Sequence, residues 1–159
     1  MMENVVLVRI DDRLIHGQVM TSWLNFTQAT KIMVIDDDVA GDLFMKNVLK
    51  NAVPGNVGLG VFSVDRAAER LVKGFKDHDK VIILVKFPKT LYRLLEKGIK
   101  FDNINIGGMG ANINRHKFYK NISASDEERE IFKNMMDKGC KLEIRIIAED
   151  NRIDIAKYL

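Results

Sequence analysis

Strand-like and helix-like periods alternate along this chain, and that alternation constrains its fold more than any other feature. Four short β-branched runs, residues 4–10, 31–36, 57–62 and 80–85, read as buried strands, each bounded by polar residues or glycine. Between them lie helical spacings: Ile15, Val19 and Trp23 with Met20 and Leu24 beside them, then Val64, Ala67, Ala68, Leu71, Val72 and Phe75. Leu91, Leu94 and Leu95 mark a further helix ended by Gly98, and Asn103–Ile106 reads as a short strand running into Gly107 and Gly108. Ser125 and Glu128 have capping-box spacing, which opens a helix through Met136 that Gly139 closes. Leu142, Ile144 and Ile146 then alternate as a half-buried strand, and residues 152–159 suit a last short helix. Residues 112–123 interrupt the pattern, being polar with isolated Ile113, Phe118 and Ile122, so a loop with an irregular edge strand is expected there. Strand-helix-strand runs of this kind need crossovers that put helices on both faces of one sheet. The expectation is an α/β fold with an open, mainly parallel sheet, formed as a single domain over residues 1–159.

Several classes of function are disfavoured early. The longest apolar runs, Val5–Val8 and Val81–Val85, fall far short of the ~20 residues that cross a bilayer. The N-terminus lacks the basic start and small-residue cleavage site of a signal peptide, and the lone Cys140 fits a reducing compartment, so a cytoplasmic location is expected. A formal net charge of +3, with basic residues scattered among acids, argues against a nucleic-acid partner. The groups Lys73, Lys76 and Lys80, and Arg115, His116, Lys117 and Lys120, could form a docking patch but read rather as solvated surface and receive no role.

Ligands of open α/β sheets gather beyond the carboxyl ends of the strands. The first loop there, Arg9 to Val19, places Asp11, Asp12, Arg13, His16 and Gly17 between a strand and a helix start. A helix N-terminus offers free N–H groups and the positive end of the dipole to a phosphate or other anion, and Arg13 adds a cation with paired donors. An imidazole nitrogen is nucleophilic near neutral pH and can hold a phosphoryl group. Gly17 leaves room beside His16 for an approaching partner, and Asp11 or Asp12 could fix the ring tautomer. Residue chemistry alone leaves open that His16 is a plain surface or capping histidine.

The stretch IDDRLIHGQV resembles the active-site segment of the IIB proteins of bacterial phosphotransferase systems of the mannose/fructose/sorbose family. The resemblance extends through Thr21-Ser22-Trp23, Val34–Ala40, Phe87-Pro88, Ile104–Met109 and Ser123–Phe132, and is weakest over Gly110–Tyr119. It implies that His16 accepts a phosphoryl group from a phosphohistidine on a IIA partner and passes it to a sugar held by the membrane IIC/IID pair. The sugar would be of the mannose, fructose, sorbose or N-acetylgalactosamine class. It further implies Arg13 at the phosphate, Asp11 near the ring, no metal or organic cofactor, and a cytoplasmic protein associated peripherally with IIC/IID. Members of the family often pair as homodimers.

Weaker candidates share the same edge. Gly107 and Gly108 could present amides to the phosphate, although the sequence lacks a G-x-G-x-x-G or P-loop pattern, and Phe87, beside Lys86, could line the approach to His16. Asp36, Asp37 and Asp38 fit a cap for a helix starting near Val39 better than a cation site. Cys140 sits before a late strand rather than after the first one, which disfavours a cysteine phosphocarrier, and His78 and His116 read as solvated. Rival readings are a receiver-like phospho-aspartate switch, which lacks an acceptor aspartate at the end of the third strand, and a non-catalytic ligand-binding module.

Overall fold

The computed structural model describes residues 2–159. Seven strands form one sheet in the order β3-β2-β4-β1-β5-β8-β9. The first six in that order are β3 (Gly58–Phe62), β2 (Lys31–Ile35), β4 (Val81–Val85), β1 (Val5–Asp11), β5 (Asn103–Gly108) and β8 (Lys141–Ile144). All their pairings are parallel, and only the short β9 (Ile153–Asp154) runs antiparallel, against β8. Strand β4, between β2 and β1, is buried at every position, as a parallel strand covered on both faces must be.

Helices cover the two faces separately. Met20 and Trp23 of α1 (Gly17–Thr27), Val39 of α2 (Asp37–Ala40) and Leu49 of α3 (Leu43–Ala52) pack on Ile32, Val34, Ile82 and Leu84. On the other face α4 (Val64–Lys73), α5 (Pro88–Glu96) and α6 (Asp126–Asp137) set Leu71, Leu91 and Phe132 against Ile10, Ile35, Ile83 and Val85. The predicted helix starts have local causes. Ser125 accepts from the Glu128 amide while Glu128 accepts from the Ser125 amide, completing the capping box. Pro88 occupies the first turn of α5, where its missing N–H costs no intrahelical bond. Asp36 caps α2 through the Val39 amide at 3.0 Å.

Three segments depart from expectation. Helix α3 is not legible as an inward face because Leu43 and Phe44 are 74% and 73% exposed. Residues 112–123 form no edge strand of the main sheet; β6 (His116–Tyr119) and β7 (Ile122–Ala124) pair with each other as an antiparallel hairpin. The chain end is β9 followed by a 3-10 helix, Ile155–Tyr158, rather than a helix from residue 152.

Connections leaving β1 and β5, which are neighbours, go to opposite faces: β1 leads to α1, and β5 leads by way of the hairpin to α6. Adjacent loops that part in this way open a crevice beyond the strand ends, where open α/β sheets bind ligands. A recess of 300 Å³ lies there, lined by residues that include Asp12, Arg13, Gly108, Gly110 and Asn121.

Candidate active site

Asp11, the last residue of β1, organises this crevice. Its carboxylate is 1% exposed and receives Arg9 Nη2 at 3.0 Å, Arg13 Nε at 3.0 Å, Arg13 Nη2 at 3.1 Å and the Arg13 backbone N–H at 3.0 Å. Burial alone would raise the Asp11 pKa, but the hydrogen bonds from Arg13 and the charge of Arg9 outweigh it and hold the carboxyl below its ordinary range. His16 Nε2 is buried and faces Asp11 Oδ2 at 3.4 Å, without the alignment of a hydrogen bond. The His16 side chain as a whole remains 27% exposed.

The backbone brings the ring to this position through a tight turn. The Leu14 amide donates to the Asp11 carbonyl at 3.0 Å, and Leu14 itself adopts φ 58°. A branched residue rarely takes the left-handed region, and here burial of Leu14 and Ile15 under α1 holds it there. Gly17, at φ 40°, then opens α1, leaving His16 as its N-cap residue with a side chain that makes no capping hydrogen bond. The ring is therefore free of a helix-capping duty.

Arg9 is the residue that the sequence did not single out. It is fully buried in the middle strand, where its guanidinium donates to Asn105 Oδ1 at 2.6 Å, the Arg145 carbonyl at 3.0 Å and Asp11, with the Trp23 ring 5.5 Å away. Burial lowers its pKa while Asp11 opposes that effect, and a guanidinium stays charged throughout. An ionised group buried in a parallel strand requires a partner, and the carboxylate two positions later on the same face was the available signal.

Gly107 and Gly108 serve this pair at close range. A Cβ on Gly107 would lie 1.9 Å from Arg9 Cζ, and one on Gly108 would lie 2.5 Å from Asp11 Oδ1. Asp12 turns away from the ring: its carboxylate accepts from Gly110 N–H at 2.7 Å and from Arg115 Nη1 at 2.9 Å. Arg115 thus corrects its reading as solvated surface. It is 7% exposed and pairs through Nε and Nη2 with Glu128, each at 2.8 Å.

The remaining candidates lie further out. Phe87 stands at the exit of β4, 44% exposed, with the Lys86 ammonium 5.6 Å from its ring centre. Asp37 accepts from the Val64 amide at 2.8 Å and pairs with Arg93 at 2.8 Å, so this acidic turn braces α4 and α5. Cys140 is buried, and burial together with Asp102 raises its pKa, away from the reactive thiolate. His78 and His116 are exposed.

Residues 5–159 match the family described as "PTS system sorbose subfamily IIB component". The chain is 33% identical over 158 residues to the "PTS system fructose-specific EIIB component" of Bacillus subtilis (strain 168), covering 99% of this chain and 97% of that protein. It is also 33% identical over 147 residues to the "PTS system mannose-specific EIIAB component" of Escherichia coli (strain K12), covering 92% of this chain but only 46% of that longer protein. Its backbone resembles the crystal structure of the IIBSor domain of the sorbose permease from Klebsiella pneumoniae, with a TM-score of 0.91, 29% identity and coverage of 97% and 94% of the two chains. No helix among the described residues is long and apolar enough to cross a membrane. The match over nearly the whole length, the shared sheet and the loop that opens after β1 agree: the chain belongs to the sorbose subfamily of IIB components, the phosphocarriers of mannose-class phosphotransferase sugar import.

Proposed function

We propose that His16 is the phosphorylated residue, that Nδ1 is the attacking nitrogen, and that Asp11, Arg9 and Arg13 form the electrostatic cradle of the transfer. The observation that carries this reading is the burial of Nε2 against Asp11 Oδ2 at 3.4 Å. A carboxylate in that position favours the tautomer with a proton on Nε2, which leaves the lone pair on Nδ1. Attack by Nδ1 forms the new N–P bond as the N–P bond to the donor histidine breaks, and the donor ring leaves with the electron pair. His16 then carries a positive ring and a phosphoryl dianion. Asp11 stabilises the ring through its Nε2 proton, and Arg13, 51% exposed beside Asp11, can turn its donors to the phosphoryl oxygens.

In this reading the donor is a phosphohistidine on a IIA protein, and the acceptor is a sugar held by membrane IIC/IID components. The protein acts in the cytoplasm as a single IIB domain over residues 1–159, docking peripherally at the membrane. Mannose, fructose, sorbose and N-acetylgalactosamine remain the sugar class, because specificity resides mainly in the membrane subunits. Support for the partners comes from the family and from a relative named as a joined IIA and IIB protein. Asp12, Gly17, Gly107 and Gly108 shape the loop and its packing, and Phe87 borders the docking edge.

The test is transfer from phosphorylated IIA followed by peptide mapping. One acid-labile, alkali-stable phosphate on the peptide carrying His16 is expected, and none from ATP with magnesium, since no phosphate-binding glycine-lysine loop is present in the sequence. Label on another residue overturns the assignment.

A further inference from the structure

The turn that follows β5, Gly110–Arg115, contains the most exposed large apolar residue of the described chain, Ile113 at 93%. Its surroundings are ordered by specific bonds. Asn112 Oδ1 accepts from the Asn114 and Arg115 amides at 2.8 and 2.9 Å, and the Arg115 amide also reaches the Asn112 carbonyl at 3.2 Å, closing a tight turn with Ile113 at its tip. Arg115 fixes that turn to the rest of the protein. It donates to Asp12 in the site loop, to the Gly110 carbonyl at the exit of β5 and to Glu128 in the cap of α6. Opposing carboxylates on both sides more than offset the effect of burial and raise its pKa, so the brace stays charged.

We propose that the turn Gly110–Arg115 is a preformed docking prong for the phosphoryl donor, with Ile113 as its apolar contact and Arg115 as its brace. This rests on the phosphocarrier reading and deepens it. A phosphohistidine donor carries its phosphoryl group on its own protein surface, so that surface must close over the edge where Asp12 and His16 lie. A transient interface covers less than about 600 Å² per partner, and the prong is held on Asp12, in the same loop as His16, beside the edge that the donor must cover. Apolar anchors surrounded by polar groups carry much of the affinity in such patches. A rigid turn presents Ile113 without the cost of ordering a loop on binding. No fold-level duty explains the residue, since a side chain so exposed contributes nothing to the core.

Initial rates with phosphorylated IIA as the varied substrate test this. For Ile113→Ser the proposal expects an apparent KM for phosphorylated IIA raised about tenfold, kcat within about twofold of wild type and an unchanged Tm. Ile113→Leu should restore the wild-type KM. An unchanged KM in Ile113→Ser, or a fall in kcat alone, overturns the docking role while leaving phosphorylation of His16 intact. Normal transfer from IIA with slowed sugar phosphorylation would assign the prong to the membrane partner and overturn the proposal as well. A wild-type chain that takes no phosphate from phosphorylated IIA would instead overturn the phosphocarrier reading beneath it.

Discussion

Asp11 holds Arg9, Arg13 and the ring of His16 on one buried carboxylate, so each substitution in this group has its own signature. Arg13 engages both carboxylate oxygens through Nε and Nη2, a fork that a lysine ammonium cannot reproduce on either Asp11 or a phosphoryl group. Arg13→Lys should therefore slow transfer from phosphorylated IIA by at least about tenfold, equivalent to ~1.4 kcal/mol of transition-state stabilisation. Thermal unfolding should change less, because the Arg13 side chain is half exposed and a lysine keeps a positive charge beside Asp11; stopped-flow transfer measured beside the Tm separates the two effects. Normal transfer in Arg13→Lys would reduce Arg13 to a structural partner of Asp11. Of this group His16, Arg13 and Asp11 were legible in the sequence, through the strand-to-helix setting and the resemblance. Arg9 was not, because an arginine near a strand end ordinarily reads as solvated, and only the fold shows that it is enclosed beneath Trp23 and Asn105.

At the scale of the elements, β5 is shaped to pass over the buried Arg9. A methyl group on Gly107 would fall within 1.9 Å of the guanidinium carbon, and no rotation of that enclosed side chain keeps all its partners. Gly107→Ala should destabilise by about 2 kcal/mol or more, the usual range for overpacking, and lower the Tm by roughly 4 °C or more. A Tm within about 1 °C of wild type would show that Arg9 has freer space than the packing implies. The main strands and α6 were legible because apolar runs and the Ser125–Glu128 cap are local signals. Helix α3 and the β6–β7 hairpin were not, since Leu43 and Phe44 face solvent and Arg115 finds one of its partners, Asp12, far back in the chain.

Across the whole molecule the alternating pattern specified the open parallel sheet, and the sheet's order explains why the candidate site lies between β1 and β5. The short antiparallel β9 escaped notice because two residues carry no period. Charge at the site also sets how global stability varies with pH. Asp11 has a folded pKa below its ordinary 3.8, so the unfolded chain binds more protons in that range, and stability rises with pH there. The contribution is present above that ordinary value and is lost as pH falls through the lower folded one. Asp11→Asn should thus unfold more readily at pH 7, yet show a flatter decline of Tm below about pH 4 than wild type; parallel declines would show that Asp11 is not a controlling group. The role of His16 is decided by labelled transfer from phosphorylated IIA to wild type and His16→Gln, run side by side on folded proteins. With His16 as the carrier, one acid-labile phosphate forms on wild type and none on His16→Gln with its fold intact; equal labelling of the two proteins, or a phosphate lost in alkali rather than acid, overturns that role.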